Sequence, residues 1–253
     1  MHPILVELHG FGLTRAIPSY GVLIVCGVTV GIVIAVGRAR SYRLDRFDVL
    51  AVGLLGFGGG MVGSTGLYLV IHARELWNHP SLLVAPGHVF YGGLAGGALA
   101  CFLYCRAYQI SLGAAADVAA PGLALGHAIG RLGCLMAGCC YGRVVSASFP
   151  LAITLDGAPR HPVQLYEAAG LVVIALALLA LSRRLRPRPG ALFVAYLAGY
   201  ALLRLATEHF RGDNFERGFL FSGGPSTSQA LALVTLALSA FFLTRLPHQK
   251  GAS

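Results

Sequence analysis

Long apolar stretches dominate this chain, and short polar segments separate them. Seven of the stretches approach the ~20 residues that an α-helix needs to cross the hydrocarbon core of a bilayer. They cover residues 18–37, 49–71, 89–105, 114–136, 163–181, 191–207 and 226–244. The pattern predicts an all-α polytopic membrane protein with seven transmembrane helices, organised as a single domain over residues 1–253.

The composition of the chain supports this interpretation. Of its 253 residues, 56% are hydrophobic and 11% are charged, and its mean hydropathy is +0.72. Soluble globular domains carry about 25% charged residues and a smaller apolar share. The class of soluble enzymes is therefore excluded.

The basic residues between the apolar stretches predict the orientation of the chain, because cytoplasmic loops carry an excess of arginine and lysine. An N-terminus on the outer, periplasmic side places eleven basic residues in the cytoplasm: Arg38, Arg40, Arg43, Arg46, Arg106, Arg183, Arg184, Arg186, Arg188, Arg245 and Lys250. Six then lie outside: Arg15, Arg74, Arg143, Arg160, Arg211 and Arg217. The C-terminus is expected in the cytoplasm. The net charge of +9 then indicates attraction to anionic membrane lipids, not to nucleic acid.

Polar and ionisable residues interrupt the apolar stretches near their outer ends. They form three groups at helical spacing: His127, Arg131 and Cys134; Gln164 and Glu167, just after Arg160, His161 and Pro162; and Arg204, Glu208 and Arg211. Residues at i, i+4 and i+7 share one face of a helix. A charge at bilayer depth is costly and normally marks a functional site. We expect one polar cavity that opens to the outer face.

The arginines of this cavity favour an anionic phospholipid headgroup as its ligand. The paired N–H donors of a guanidinium group form a planar fork that matches phosphate oxygens, while apolar surroundings suit acyl chains. In the alternative interpretation, Glu167 and Glu208 neutralise Arg131 and Arg211 in buried ion pairs that only set helix register.

Glycines recur at four-residue spacing in the second and third stretches. Gly92 and Gly93 belong to the run YGGLAGG, which is typical of close helix packing in membranes. Close approach of this backbone to a ligand is an equally open interpretation.

Four ordered motifs resemble the prolipoprotein diacylglyceryl transferase family of bacterial inner membranes. They are GRLG at 130–133, YGR at 141–143, RHPVQLYE at 160–167 and EHFR at 208–211. Tyr20 with Gly21, and the Gly-Gly-Leu run at 92–94, are similar to the same family. The resemblance implies a multi-pass enzyme of the bacterial inner membrane. Its reaction moves the diacylglyceryl group of phosphatidylglycerol onto the lipobox cysteine in a prolipoprotein signal peptide, and no cofactor is expected.

The resemblance also implies functions for individual residues. Catalytic functions are expected for Arg131, Arg211, His161, Glu167 and Tyr20. Substrate binding is expected to involve Arg131, Arg211, Arg143, Gly92, Gly93, Tyr91, Gln164, Tyr166 and Glu208. The competing functional class is a non-enzymatic phospholipid-binding membrane protein or transporter that retains the arginine cavity.

Three positions depart from the family pattern. Tyr91 stands where the family usually has a histidine before Gly-Gly-Leu; Cys134 ends a run that usually reads GRxGN; and Cys139 replaces a frequent acidic residue. A tyrosine has an ordinary pKa near ~10, which makes it a poor general base at neutral pH. The base is left open among His127, His161 and Glu167.

Cys134, Cys139 and Cys140 cluster along the chain and allow several interpretations. One is structural packing, with or without a disulfide on the oxidising outer side. Another is a covalent or redox function. A metal site with His127 is disfavoured because the spacing lacks the C-x2-C pair of zinc sites. No metal site is therefore predicted.

Overall fold

The computed structural model describes residues 4–10, 13–78, 87–155, 157–185, 188–213, 219 and 224–245 of the chain. These residues form eight α-helices: α1 (Ser19–Arg38), α2 (Arg46–Ile71), α3 (Ala73–Asn78), α4 (Phe90–Ala107), α5 (Leu112–Ala137), α6 (Val163–Leu185), α7 (Ala191–Glu208) and α8 (Thr227–Arg245). A short 3-10 turn, Ala39–Tyr42, follows α1. Two antiparallel hairpins join β1 (Ile4–Gly10) to β2 (Leu13–Pro18) and β3 (Ile153–Leu155) to β4 (Ala158–Arg160).

The helices confirm the prediction of an all-α membrane protein. Each predicted apolar stretch coincides with one long helix, and six of these helices are long and apolar enough to cross a membrane. The exception is α4, whose four glycines and Arg106 lower its mean hydropathy. The two hairpins were not predicted, because each lies in a polar connection where apolar periodicity carries no information.

Helix α5 is the most buried span, and it packs against α1, α6 and α7. Its contact with α1 is close because glycines face each other: a side chain at Gly126 would lie 2.6 Å from the carbonyl oxygen of Gly27. Small residues let membrane helices approach in this way. The polar residues of α5 are thereby held against α6 and α7.

Helices α2 and α4 form a second glycine-lined pair. A side chain at Gly92 would collide with the carbonyl oxygen of Gly63, and Gly93 lies against Gly60 and Ser64. The structure therefore gives these two glycines a packing function. Their predicted contact with a ligand stays a prediction.

One end of the bundle gathers the segments that carry the predicted cytoplasmic arginines. There the buried carboxylate of Asp117 on α5 accepts hydrogen bonds from the backbone amides of Gly190 (2.9 Å) and Phe193 (2.8 Å) at the start of α7. The tyrosine hydroxyl of Tyr104 donates to Asp48 across 2.9 Å, which ties the end of α4 to the start of α2.

The opposite end gathers the polar residues that were expected to line one cavity, and the cavity itself stays a prediction. Here the segments that follow α5 and α7 and precede α6 meet through two isolated β-bridges, Gly142 with Arg211 and Val144 with Arg160. The backbone amide of Arg143 donates to the Phe210 carbonyl across 2.8 Å. These links position three of the four quoted motifs beside one another.

Candidate active site

Glu167 is the centre of a buried ion network at this end of the bundle. Its Oε2 lies 2.5 Å from Nε of Arg131, and its Oε1 lies 2.6 Å from Nη1 of Arg204. Thr207 donates a further hydrogen bond of 3.2 Å to Oε1. The side chain of Glu167 is 1% exposed, so its charge depends on these partners. Two arginines from different helices are thus held by one carboxylate from α6.

Arg204 extends the network to α8. Its Nη2 lies 3.0 Å from Glu208 Oε2 and donates to the Ser228 hydroxyl across 2.9 Å. The hydroxyl of Ser226 donates to Glu208 Oε1 across 2.5 Å. Two arginines and two glutamates therefore balance one another inside the apolar bundle. Arg204 was absent from the predicted site residues, although its spacing from Glu208 had already placed both on one face of the helix.

An acidic residue and a tyrosine orient the side chain of Arg131. Its Nη2 donates to the hydroxyl of Tyr200 across 3.4 Å, while its Nε faces Glu167. His127, one turn earlier on α5, contacts the Tyr200 ring at 4.7 Å and lies 3.5 Å from the Tyr196 hydroxyl. These tyrosines were not predicted as part of the site, because nothing in the spacing of α7 separates them from lipid-facing aromatics.

Arg211 has a different partner from the one that the alternative interpretation of buried ion pairs gave it. Helix α7 ends at Glu208, so Arg211 does not continue the helical face of Arg204 and Glu208. Its Nε donates to Asp213 Oδ1 across 2.8 Å, and its Nη2 forms a second contact with Asp213 Oδ2. The alternative interpretation paired Glu208 with Arg211, whereas in the structure Glu208 pairs with Arg204 and Arg211 pairs with Asp213. The reversal of the chain after α7 was not apparent from helical periodicity.

The described residues between α5 and α6, 138–155 and 157–162, form a cap beside Arg211. Arg143 donates from Nε to the Arg211 carbonyl across 3.2 Å, and its own carbonyl accepts from the His161 amide at 3.0 Å. Arg160 lies over the Tyr141 ring at 4.5 Å and donates to the Gly142 carbonyl. The motifs at 141–143 and 160–167 are thus brought together.

His161 lies within an aromatic cluster of this cap. Its Nδ1 is 3.2 Å from the Tyr166 hydroxyl, and its ring makes edge contacts with Phe149 and Phe210. The Tyr166 and Phe210 rings also meet edge to face. Because aromatic contacts of this kind restrain ring orientation, the His161 imidazole is held in a defined position while it stays half-buried.

Gln164 connects the start of α6 to the cysteine segment. Its amide nitrogen donates to the Cys139 carbonyl across 2.7 Å, and its own side chain is buried. The sulfur atoms of Cys134, Cys139 and Cys140 all lie within 4.8 Å of one another, and all three residues are free cysteines. Hydrogen bonds with the Cys134 and Cys139 thiols lower the pKa of Cys140, and the positive charge of Arg131 acts in the same direction.

The remaining predicted residues lie at the edges of this region. Tyr20, in the first turn of α1, packs close to Gly133 of α5 and is 44% exposed. Tyr91, in the first turn of α4, is 56% exposed and its ring contacts Phe90. Among the described residues, no hydrogen bond or ion pair joins Tyr91 to the Glu167 network. The structure therefore brings together the arginines, Glu167, His161 and Gln164, but not Tyr91.

Comparison of the sequence with known proteins identifies related proteins. A family model described as "Prolipoprotein diacylglyceryl transferase" matches residues 3–245. Proteins named phosphatidylglycerol–prolipoprotein diacylglyceryl transferase are similar over most of their length. One from Clostridium tetani is 30% identical over 95% of this chain and 96% of its own, and one from Legionella pneumophila is 32% identical over 87% and 88%. A third, from Dehalococcoides mccartyi, is 30% identical over 92% and 91%. These matches confirm the resemblance carried by the motifs, and the chain belongs to the prolipoprotein diacylglyceryl transferase family.

Proposed function

We propose that this chain transfers the diacylglyceryl group of phosphatidylglycerol to the lipobox cysteine thiol of a prolipoprotein signal peptide. The proposed reaction takes place at the outer face of a bacterial inner membrane and releases glycerol phosphate. One observation supports it beyond the family: Arg131 is held in a buried network inside apolar helices. A charge in such a place is costly, so its presence points to a functional site.

Arg131 and Arg211 are the proposed binding groups for the lipid phosphate. Glu167 orients the guanidinium group of the first, and Asp213 that of the second. A guanidinium group that is already oriented loses little conformational freedom when it donates to phosphate. Arg143 and Gln164 position the surrounding backbone, at the Arg211 and Cys139 carbonyls.

The proposed chemistry is a displacement at the glyceryl carbon. The acceptor thiolate forms a C–S bond to that carbon while the C–O bond to phosphate breaks, and the electron pair leaves with the phosphate. Arginines directed at the departing phosphate stabilise the charge that develops on it. The thiol must first lose its proton, because the thiolate is the nucleophile.

His161 is the proposed base among the three open candidates. Both oxygens of Glu167 are already in contact with arginines, and His127 packs between Tyr196 and Tyr200. His161 lies in the cap segment beside Arg143, outside the helices. Its Tyr166 contact holds the imidazole ring in place, as a general base requires.

Complementation tests this function in cells. We expect the chain to restore growth and lipoprotein modification to a bacterium depleted of its own diacylglyceryl transferase. A chain that reaches the membrane in normal amount but restores neither would favour the alternative of a non-enzymatic lipid-binding protein or transporter.

We also propose that α4 crosses the membrane as the seventh span, with the N-terminus outside and the C-terminus in the cytoplasm. Helix α4 runs along α2 from the Val89–Ser64 backbone bond (3.2 Å) at one end to the Tyr104–Asp48 bond at the other. Three basic residues of the predicted orientation, Arg186, Arg217 and Lys250, lie outside the described residues.

Thiol labelling tests this orientation. After reduction and chelation, a membrane-impermeant maleimide is expected to label Cys139 or Cys140 from the periplasmic side of intact cells, because both are only half-buried in the cap. The control is Ser111→Cys, at the opposite end of the bundle, in a chain whose native cysteines are replaced by serine. It should be labelled only in inverted vesicles, and the reverse pattern for the two positions would overturn the proposed orientation.

A further inference from the structure

Three cysteines cluster beside the Glu167 network, and none of them belongs to the proposed phosphate-binding site. Their sulfur atoms all lie within 4.8 Å of one another. In a tetrahedral zinc site with bonds of about 2.3 Å, the sulfurs would stand about 3.8 Å apart. Small side-chain movements are therefore enough to bring Cys134, Cys139 and Cys140 onto one ion.

The end of α5 produces this convergence. Gly138 and Cys140 both have positive φ angles, 76° and 59°, which turn the chain back on the helix. The Cys139 amide donates to the Cys134 carbonyl across 3.2 Å. The spacing C-x4-C-C lacks the usual zinc pair in sequence, but the left-handed turn brings the three sulfurs together in space. A left-handed backbone at a non-glycine residue is itself costly and is common at ligand sites.

Within the part of the chain that the structure describes, the cluster provides three protein ligands and no fourth. Among the described residues, no histidine, aspartate or glutamate ligand atom joins the three sulfurs, and His127 is not part of the group. Structural zinc sites are closed by four protein ligands, whereas catalytic sites have three and leave one position open. Three thiolates with a divalent ion carry a net charge of about −1 and leave one of the four tetrahedral positions open.

We propose that Cys134, Cys139 and Cys140 bind one thiophilic divalent ion of the zinc class, whose open position takes the acceptor cysteine as a thiolate. The proposal rests on the proposed transferase function. A thiol bound to such an ion is deprotonated, because the cation stabilises the sulfur anion. This supplies an activating group in a chain whose Tyr91 stands where the family usually has a histidine.

The step balances without an oxidant or a reductant. The acceptor S–H proton passes to His161 and from there to the departing glycerol phosphate, and the bound sulfur forms the C–S bond to the glyceryl carbon. The C–O bond breaks, and its electron pair leaves with glycerol phosphate. The product sulfur is a neutral thioether, a weaker ligand than a thiolate, so it leaves the ion and the fourth position reopens. The charge of the metal ion does not change.

Cobalt substitution tests the site without relying on activity. The probe is Co²⁺ added to the purified, metal-free, fully reduced chain, because cobalt bound to thiolates absorbs through sulfur-to-metal charge transfer. We expect one Co²⁺ per chain in the wild type and in the control Cys26→Ser, whose cysteine lies exposed on α1. Cys134→Ser and Cys140→Ser should each weaken Co²⁺ binding by more than ~10–100-fold, the usual cost of removing a residue that only hydrogen-bonds to a metal ligand.

The acceptor arm uses a lipobox peptide and a matched peptide with serine in place of its cysteine. The cysteine peptide should increase the charge-transfer band of the cobalt protein, and the serine peptide should leave it unchanged. Removal of metal should lower transfer at least 10-fold, with recovery on adding Zn²⁺.

Several results would overturn the proposal. They are the absence of thiolate-to-cobalt absorption in the reduced wild type, a disulfide within the cluster in protein freshly isolated from membranes, or full transfer by the metal-free chain. The last result would leave the transferase function intact. Conversely, the chain could bind cobalt and respond to the cysteine peptide but catalyse no diacylglyceryl transfer. That result would support the ion site and contradict the proposed function.

Discussion

Replacing Arg131 with lysine is expected to lower the rate of diacylglyceryl transfer by about 10²–10³-fold, the cost of removing one donor that stabilises a developing anion. Lysine keeps the positive charge but loses the planar fork that contacts Glu167 and Tyr200 at the same time. The measurement is the rate of transfer from labelled phosphatidylglycerol to a lipobox peptide by the purified variant.

Arg106→Lys is the matched control, because Arg106 is exposed at the opposite end of the bundle. It should transfer at the wild-type rate, and both variants should elute as folded protein on size exclusion. Arg211→Lys should behave like Arg131→Lys, because its fork is held by Asp213 in the same way. Wild-type rates for the lysine variants at both 131 and 211 would show that phosphate is bound elsewhere.

Replacing Glu167 with glutamine is expected to abolish transfer and to destabilise the fold by about 3–5 kcal/mol, the usual cost of breaking a buried ion pair. The neutral amide leaves Arg131 and Arg204 without the carboxylate that lies within 2.6 Å of both. The readouts are the midpoint of thermal unfolding in detergent and the transfer rate.

Two further variants make this result specific. Glu167→Asp keeps the charge on a shorter side chain, so its stability should lie between those of the wild type and the glutamine variant. Glu75→Gln removes an exposed carboxylate from α3 and should leave both readouts unchanged. If Glu167→Gln is as stable as the wild type, the Glu167 network does not hold the helices together.

The spans were predictable because each is a long apolar run, and their observed bounds lie within a few residues of the expected ones. α5 is the clearest case: residues 114–136 were expected and the helix covers Leu112–Ala137. Arg131 and Glu167 were likewise recognisable as candidate site residues, because a charge inside such a run is rare and requires a partner.

The pairing of those charges was not predictable from spacing. Periodicity places Arg204 and Glu208 on one face of α7, yet it does not reveal that Arg204 also reaches Glu167 on α6. Arg211 pairs with Asp213 because the helix ends three residues before it, and helix ends are poorly determined by hydrophobic pattern. The partners of a buried charge depend on tertiary packing, which a local pattern does not contain.

The cysteine cluster shows the same limit. The spacing C-x4-C-C argued against a shared metal ion because it lacks a C-x2-C pair. In the structure, Cys134 lies on the helix and Cys139 and Cys140 lie beyond it. The left-handed turn at Gly138 and Cys140 brings the sulfurs together. Nothing in the apolar pattern of α5 distinguishes such a turn from an extended connection.

The proposed transferase function is tested most directly by the transfer reaction itself, measured with the purified chain, labelled phosphatidylglycerol and a lipobox peptide. The cysteine peptide should gain the mass of one diacylglyceryl group while one glycerol phosphate is released per peptide, and a serine peptide should gain nothing. The result that would contradict it is the absence of both products from the folded chain under conditions in which the Clostridium tetani relative forms them.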